Sequence, residues 1–174
     1  MDEKNLLKLS REGDIEAFTL LLRSCENHLR RTAYALMADE ADDLMQETFL
    51  AAFKNLKKFR MRSSFYTWTY RIMLNTAYKK FRKKKQKRLF LHRMDKRTAN
   101  YNSDDSHASG AGKEKVRTAV AALPLKYKEI ITLYYFEDFS IKEISEMLEI
   151  SEGTVKSRLF NARTLLKKII EPAA

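Results

Sequence analysis

Apolar side chains recur every three or four residues through most of the chain, which is the spacing of an amphipathic helix. This spacing predicts helices over residues 5–36, interrupted at Gly13-Asp14, and over residues 42–59, followed by a third helix from about 66 to 88. Asp14 is well placed to cap the helix that follows it. The N-terminal half is therefore expected to be a small helical domain.

The C-terminal half shows the same spacing in four shorter segments. The first is expected over residues 113–123, and Pro124 opens the second at a first-turn position. Ser140 with Glu143 forms a capping-box pattern for the third, and Ser151 precedes the fourth. The run 130–136 has high β propensity and would also suit a buried strand, but no partner strand is evident. We therefore expect an all-α protein.

Residues 95–112 have the composition of a flexible linker. They contain two of the four glycines and four Ser or Thr residues, with almost nothing to bury. The sequence thus predicts two small helical domains, residues 1–94 and 113–174, joined by this segment.

Charge is concentrated in one block of the sequence. The net formal charge of the whole chain is +11. Residues 1–53 carry a net charge of −5, residues 54–97 carry +16, and residues 98–174 are neutral. A chain that is basic only in its middle is expected to bind a polyanion there.

Several functional classes find no support in the composition. One cysteine, Cys25, forms no intrachain disulfide and suits a buried helix position in a reducing cytoplasm. No apolar run is long enough to span a membrane, and the polar N-terminus is not a signal peptide. The three histidines are scattered, and neither metal-ligand spacing nor a glycine-rich phosphate loop is present. We expect a cytoplasmic protein that is not membrane-inserted, not an enzyme, and binds no cofactor or metal.

Residues 139–168 match a helix-turn-helix. Apolar positions would hold two crossed helices together, and the second helix carries five basic residues against one acid, Glu152. This polarity suits a helix that enters the DNA major groove. The alternative is an ordinary helical hairpin with a solvated basic face.

Aromatic residues are interleaved with the positive charges of residues 59–82. Aromatic faces stack on unpaired bases while cations follow phosphates, so the pattern suits single-stranded or melted DNA. The alternative is that these aromatic residues form the core of a helical domain. The lysine-rich run 83–88 also resembles a nuclear targeting patch. The acidic residues 39–47 would favour the N-terminus of their helix, whether or not they also bind a partner.

In this order, the segments resemble the sigma-70 family of RNA polymerase sigma factors, in its extracytoplasmic-function (ECF) group. Residues 42–49, DDLMQETF, are similar to the (E/D)D-x-x-Q-E-x-F pattern of region 2.2. Residues 65–72, FYTWTYRI, with Asn75, resemble the F-x-T-W-L-Y-R-I…N signature of regions 2.3 and 2.4. The helix-turn-helix resembles region 4. The resemblance covers residues 12–88 and 115–170.

The resemblance implies three sets of binding residues. Region 2.2 would bind the clamp coiled coil of core RNA polymerase through Asp42, Asp43, Gln46 and Glu47. The −10 promoter element would contact Phe59, Arg60, Ser63, Ser64, Tyr66, Trp68, Arg71, Asn75 and Lys79, with Phe59 and Asn75 forming a pocket for a flipped base. The −35 element would contact Thr154, Lys156, Ser157, Arg158, Phe160, Asn161 and Arg163.

Some positions depart from the family pattern. Met61-Arg62 stands where glycine followed by an acid is frequent, and Thr69 replaces the usual leucine. Glu149 occupies a turn position that often holds glycine, and Asn161 one that is commonly basic. The promoter sequences therefore do not follow from the resemblance.

The expected function is that of an initiation factor that binds core polymerase and promoter DNA and helps to melt the DNA. The resemblance further implies an anti-sigma factor as a partner, and a linker that permits a compact inhibited state. Two rivals remain at this point: a DNA-binding regulator that uses the helix-turn-helix alone, and a single-strand RNA-binding module built on the basic block. Neither rival requires the acidic segment.

Overall fold

The computed structural model describes residues 2–94 and 111–171, in which every regular element is a helix. Eight α-helices occur in this part of the chain: α1 (Glu3–Arg11), α2 (Ile15–Met37), α3 (Ala41–Asn55), α4 (Phe65–Met94), α5 (Ala111–Ala122), α6 (Leu125–Ile131), α7 (Ile141–Leu148) and α8 (Glu152–Ile170). Short 3₁₀ segments, Ala38–Glu40 and Leu56–Lys58, flank α3, and a π-helical turn, Thr132–Phe136, follows α6. The all-α expectation is confirmed.

The helix boundaries agree with the sequence analysis where local capping determines them. The Asp14 side chain accepts a hydrogen bond from the backbone N–H of Ala17, and Ser151 accepts one from that of Thr154. Ser140 and Glu143 form the expected capping box. Each bond satisfies a backbone donor that the first turn of a helix leaves free.

Several boundaries differ from expectation. Helix α4 continues to Met94, six residues beyond its expected end. The segment 42–59 is α3 followed by a 3₁₀ turn rather than one helix, and Pro124 is the N-cap of α6 rather than a first-turn residue. Residues 95–110 of the expected linker lie outside the described residues, and α5 begins at Ala111.

Helix α2 is the centre of the fold. It packs against α1, α3 and α4 of the N-terminal half (residues 2–94) and also against α5 and α6 of the C-terminal half (residues 111–171). Its buried residues include Cys25, as expected, and Leu29 and Ala33. Within the C-terminal half, α8 packs against α5, α6 and α7. The two halves therefore share one apolar core.

No helix of residues 2–94 or 111–171 combines the length and apolar character needed to cross a membrane.

Candidate functional site

The acidic segment of α3 presents an exposed polar face. Leu44, Met45 and Thr48 are buried against the core. The expected docking residues Asp42, Asp43, Gln46 and Glu47 are all exposed on the other side. Leu50, one turn beyond Gln46 and Glu47, is also about half exposed and extends this face with an apolar side chain.

Three acids near this face form ion pairs with neighbouring helices. Glu47 Oε1 lies 2.7 Å from Lys80 Nζ of α4, and the hydrogen bond to Glu47 raises the pKa of Lys80. Asp42 Oδ1 lies 3.0 Å from Arg30 Nη1, and Glu40 Oε1 lies 2.6 Å from Lys84 Nζ. The acidic face is thus partly neutralised by Arg30 of α2 and by two lysines of the basic block, and a partner that binds Glu47 competes with Lys80.

The segment expected to bind the −10 element divides into a buried and an exposed part. The ring of Phe59 is buried, with its centroid 4.9 Å from that of Trp68 and 6.3 Å from that of Phe65. Arg60 and Ser64 are exposed and Ser63 is half-buried. In this conformation the Phe59 ring belongs to the core.

One face of α4 carries four of the expected −10 residues. Trp68, Arg71, Asn75 and Lys79 are three or four positions apart, so their side chains line one side of the helix. Asn75 and Lys79 are exposed, whereas Trp68 and Arg71 are half-buried. The fully buried Tyr70 belongs to the core, so the alternative reading of the aromatic residues is correct for this side chain.

The helix-turn-helix expected from the sequence is formed by α7 and α8. The two helices pack against each other, and Ile144 and Met147 of α7 and Val155 and Leu159 of α8 are buried. Glu149 ends α7 in the left-handed conformation, with φ of 55°. This backbone geometry explains why a glycine would suit the position.

The expected −35 residues fall on two sides of α8. Lys156, Ser157, Phe160 and Asn161 are exposed on one face, and Phe160 is 68% exposed. Arg158 instead places Nη1 3.3 Å from Glu129 Oε1, and Arg163 Nε donates a hydrogen bond of 2.8 Å to the Tyr135 hydroxyl. An apolar side chain as exposed as Phe160 suits contact with a thymine methyl group in the major groove.

Two of the expected −10 residues contact the C-terminal half. Arg71 donates hydrogen bonds to the backbone carbonyls of Glu146 and Met147 at the end of α7, and its Nη1 lies 3.5 Å from a carboxylate oxygen of Glu149. Tyr66 stacks on Phe139, with ring centroids 5.8 Å apart and an angle of 13° between the planes. These side chains are therefore engaged within the chain.

Glu129 of α6 is a buried acid between the two halves. Its carboxylate accepts a hydrogen bond of 2.8 Å from the Tyr78 hydroxyl of α4 and faces Arg158 of α8. Burial raises the pKa of Glu129 to about 7, despite the opposing effects of Tyr78 and Arg158. The adjacent Lys128, whose pKa is lowered by burial, donates to the Leu36 carbonyl at 3.3 Å.

Glu137 forms a second polar cluster at this interface. Its Oε2 lies 2.6 Å from His28 Nδ1 and accepts a hydrogen bond of 3.3 Å from the Tyr66 hydroxyl. Arg31 Nε lies 3.6 Å from Oε1. Neither Glu129 nor Glu137 was expected from the sequence as a functional candidate. The one sequence signal for them is an acid within or beside an aromatic or aliphatic run.

Comparison with protein families covers both halves of the chain. Residues 21–87 match the family model for sigma-70 region 2, and residues 113–166 match the model for sigma-70, region 4. Together the two matches include more than half of the chain.

Curated relatives extend over nearly the full length. The chain is 29% identical over 181 residues to the ECF RNA polymerase sigma factor SigW of Bacillus subtilis, covering 95% of each chain. It is 28% identical over 184 residues to the ECF RNA polymerase sigma-E factor of Haemophilus influenzae, covering 99% of this chain and 97% of the relative.

Solved structures share the fold. The sigma factor RpoE in complex with the anti-sigma factor NepR, from Bartonella quintana, superposes with a TM-score of 0.71 at 23% identity, covering 92% of this chain and 100% of that chain. CnrH in complex with the cytosolic domain of CnrY superposes with a TM-score of 0.69 at 24% identity, covering 99% of both chains.

Proposed function

Since the chain belongs to the ECF group of the sigma-70 family, whose members act in transcription initiation, we propose a division of this role between its two halves. Residues 1–94 form a region 2 domain that binds core RNA polymerase and the −10 element. Residues 113–174 form a region 4 domain that binds the −35 element, and residues 95–112 are the linker between them. The chain itself is not an enzyme: the polymerase supplies the chemistry.

The observation that carries this proposal is the exposed face of α3. Asp43 and Glu47 project from a helix whose opposite side is buried, and Leu50 adds an apolar contact. Charged groups around an apolar contact suit a protein partner, because the charges provide orientation and the apolar group provides affinity. Neither a simple DNA-binding regulator nor an RNA-binding module requires such a face.

The exposed side of α4 and the loop before it are proposed to bind the −10 element during melting. Asn75 and Lys79 are exposed in the closed arrangement of the two halves, whereas Tyr66 and Arg71 are held by region 4. Contact between DNA and these held side chains requires separation of the halves. The proposed pocket between Phe59 and Asn75 likewise requires the Phe59 ring to leave its packing against Trp68.

The exposed face of α8 is proposed to read the −35 duplex. Lys156, Ser157, Phe160 and Asn161 form the face that enters the major groove, with Thr154, Arg158 and Arg163 near the phosphates. Arg158 reaches phosphate only after it leaves Glu129. Release of this arginine is a second consequence of opening.

The proposed partners are core RNA polymerase, promoter DNA and an anti-sigma factor, and the proposed location is the cytoplasm. One solved structure with this fold, that of RpoE from Bartonella quintana, contains a sigma factor bound to an anti-sigma factor. The packing of region 2 on region 4 gives an inhibitor a closed arrangement to bind.

Binding to core polymerase tests the proposal most directly. The variant Asp43→Ala with Glu47→Ala should lose binding to core polymerase and keep its helical content, because exposed carboxylates contribute little to stability. Glu12→Ala with Glu16→Ala removes the same charge from exposed positions away from α3 and is the matched control. Equal polymerase affinity of the two variants would reject the docking face. Absence of binding by the parent chain would reject the function.

A further inference from the structure

The loop between Phe59 and Phe65 is held at both ends by the N-terminal helix. The Arg11 guanidinium, at the end of α1, donates a hydrogen bond to the backbone carbonyl of Phe59. The Glu3 carboxylate, at the start of α1, accepts a hydrogen bond of 3.1 Å from the backbone N–H of Phe65. Two side chains more than 45 residues away in sequence thus bracket the loop that precedes α4.

Helix α1 is itself firmly placed. Leu6 and Leu7 are buried, α1 packs along α2, and it also contacts the 3₁₀ turn Leu56–Lys58 that leads into the loop. Ser10 is buried and donates to the Leu6 carbonyl at 2.6 Å. Because α1 is anchored by apolar burial, its two terminal side chains act from a fixed support.

The two contacts differ in chemistry and complement each other. The Phe65 N–H is one of the donors that the first turn of α4 leaves free, and a carboxylate at that position also complements the helix dipole. Arg11 is half-buried, and its Nε atom is buried without a hydrogen bond to any residue in the described ranges. Its guanidinium instead donates to the Phe59 carbonyl, and a hydrogen bond from a charged donor is stronger than one between neutral groups.

The loop between these anchors is suited to a fixed shape rather than to free motion. Met61 adopts a φ of 54°, a region unfavourable for a side chain with a Cβ atom, and Ser64 caps the Thr67 N–H. Arg60, Met61 and Arg62 are nevertheless exposed at the tip. An exposed tip on braced ends is the arrangement that reduces the entropy lost on binding.

We propose that Glu3 and Arg11 are positioning residues for −10 recognition, which hold the loop 60–64 in its reading conformation without touching DNA. This inference rests on the proposed function and deepens it. It assigns to α1 a part in promoter selectivity.

Hydrogen exchange in the full chain tests the bracing directly. Glu3→Leu removes the acceptor and Arg11→Leu removes the donor, while each variant keeps an apolar stem. Both variants should increase the exchange rate of the hydrogen-bonded amides of Phe65, Thr67 and Trp68 by about tenfold, with exchange in α2 and α8 unchanged. Lys8→Ala, at an exposed position of α1, is the control and should leave these rates at the parent value. Parent-like exchange in both variants would overturn the bracing.

Promoter selection by the holoenzyme tests the consequence. With a DNA library randomised at the −10 element, the two variants should lose about tenfold of the parent's base preference, while affinity for core polymerase and for −35 duplex stays at the parent value. Arg11→Lys retains a donor and should restore part of the preference, which also guards against a folding defect in Arg11→Leu. If the parent protein is selective and both variants keep its base preference, the inference about α1 is overturned while the proposed function stands. If the parent protein selects no −10 sequence, the proposed function is overturned. The hydrogen-exchange experiment does not depend on DNA, so it still shows whether Glu3 and Arg11 brace the loop.

Discussion

Replacement of Glu129 by glutamine should remove a large part of the pH dependence of folding stability. Burial raises the pKa of this carboxyl from 4.5 to about 7 in the folded chain. The unfolded chain therefore loses the proton near pH 4.5, whereas the folded chain keeps it up to about pH 7. Between these values the folded state binds more protons, so the free energy of unfolding decreases as pH rises.

The size of the effect follows from the two pKa values. Each pKa unit corresponds to about 1.4 kcal/mol, so the carboxyl lowers stability by up to about 3 kcal/mol between pH 4.5 and pH 8. Glutamine carries no charge to bury and still offers an oxygen to the Tyr78 hydroxyl. Glu129→Gln should match the parent within about 1 kcal/mol near pH 5 and exceed it by about 2–3 kcal/mol near pH 8.5.

Urea unfolding of both proteins, followed by circular dichroism across this pH range, measures the difference. The quantity to compare is the difference in free energy of unfolding between the two proteins at each pH. Its change with pH reports on Glu129, because both proteins contain all the other titrating groups. Glu146→Gln makes the same chemical change at an exposed position of α7 and serves as the control. Parallel stability curves for parent and Glu129→Gln would refute the reasoning, since they would mean that the pKa of Glu129 is the same in the folded and the unfolded chain.

Three further outcomes are expected. Lys156→Ala should weaken −35 duplex binding by about 1–3 kcal/mol and relax the preference at one base position, whereas Arg163→Ala should weaken binding to all sequences alike and lower the slope of log affinity against log salt by about one. Binding of a duplex library at two salt concentrations distinguishes these results. Equal loss of affinity in both variants without altered preference would show that α8 only anchors phosphate. The free energy of unfolding of Glu149→Gly should exceed that of Glu149→Ala by about 1 kcal/mol, because the backbone φ of 55° at this position suits glycine. Chemical denaturation measures both values, and equal values would contradict the prediction. Cys25, whose pKa burial raises to about 12, should react with a thiol reagent at neutral pH only as the chain unfolds; rapid labelling of the native chain would show that α2 opens locally.

The helices and their caps were predictable because the signals are local. Asp14, Ser140 and Ser151 each bond within three residues of themselves, so the short sequence pattern contains the whole interaction. The run 130–136 shows the limit of local propensity. It is β-prone in composition but lies in α6 and the π-helical turn, where burial of Ile130 and Leu133 in a helical core outweighs propensity.

The contacts between the halves were not predictable, because they join positions far apart in sequence. Tyr78 and Glu129 are 51 residues apart, and Arg71 and Met147 are 76 apart. The residues adjacent in sequence to each of these side chains give no information about which partner it contacts in the fold. Phe53 illustrates the same limit on a smaller scale. Its spacing places it on the apolar side of α3, yet it is 44% exposed, with its ring centroid 5.0 Å from that of Phe18.

The continuity of α4 determines how the two halves separate. Tyr66, Arg71 and Tyr78 all contact region 4 and all stand on one uninterrupted helix. The rise of about 1.5 Å per residue places the outer two about 18 Å apart along a single stiff rod. Because such a rod moves as one body, displacement of α4 from region 4 moves all three side chains together. We therefore expect the halves to separate in one cooperative step, without a long-lived, partly undocked species.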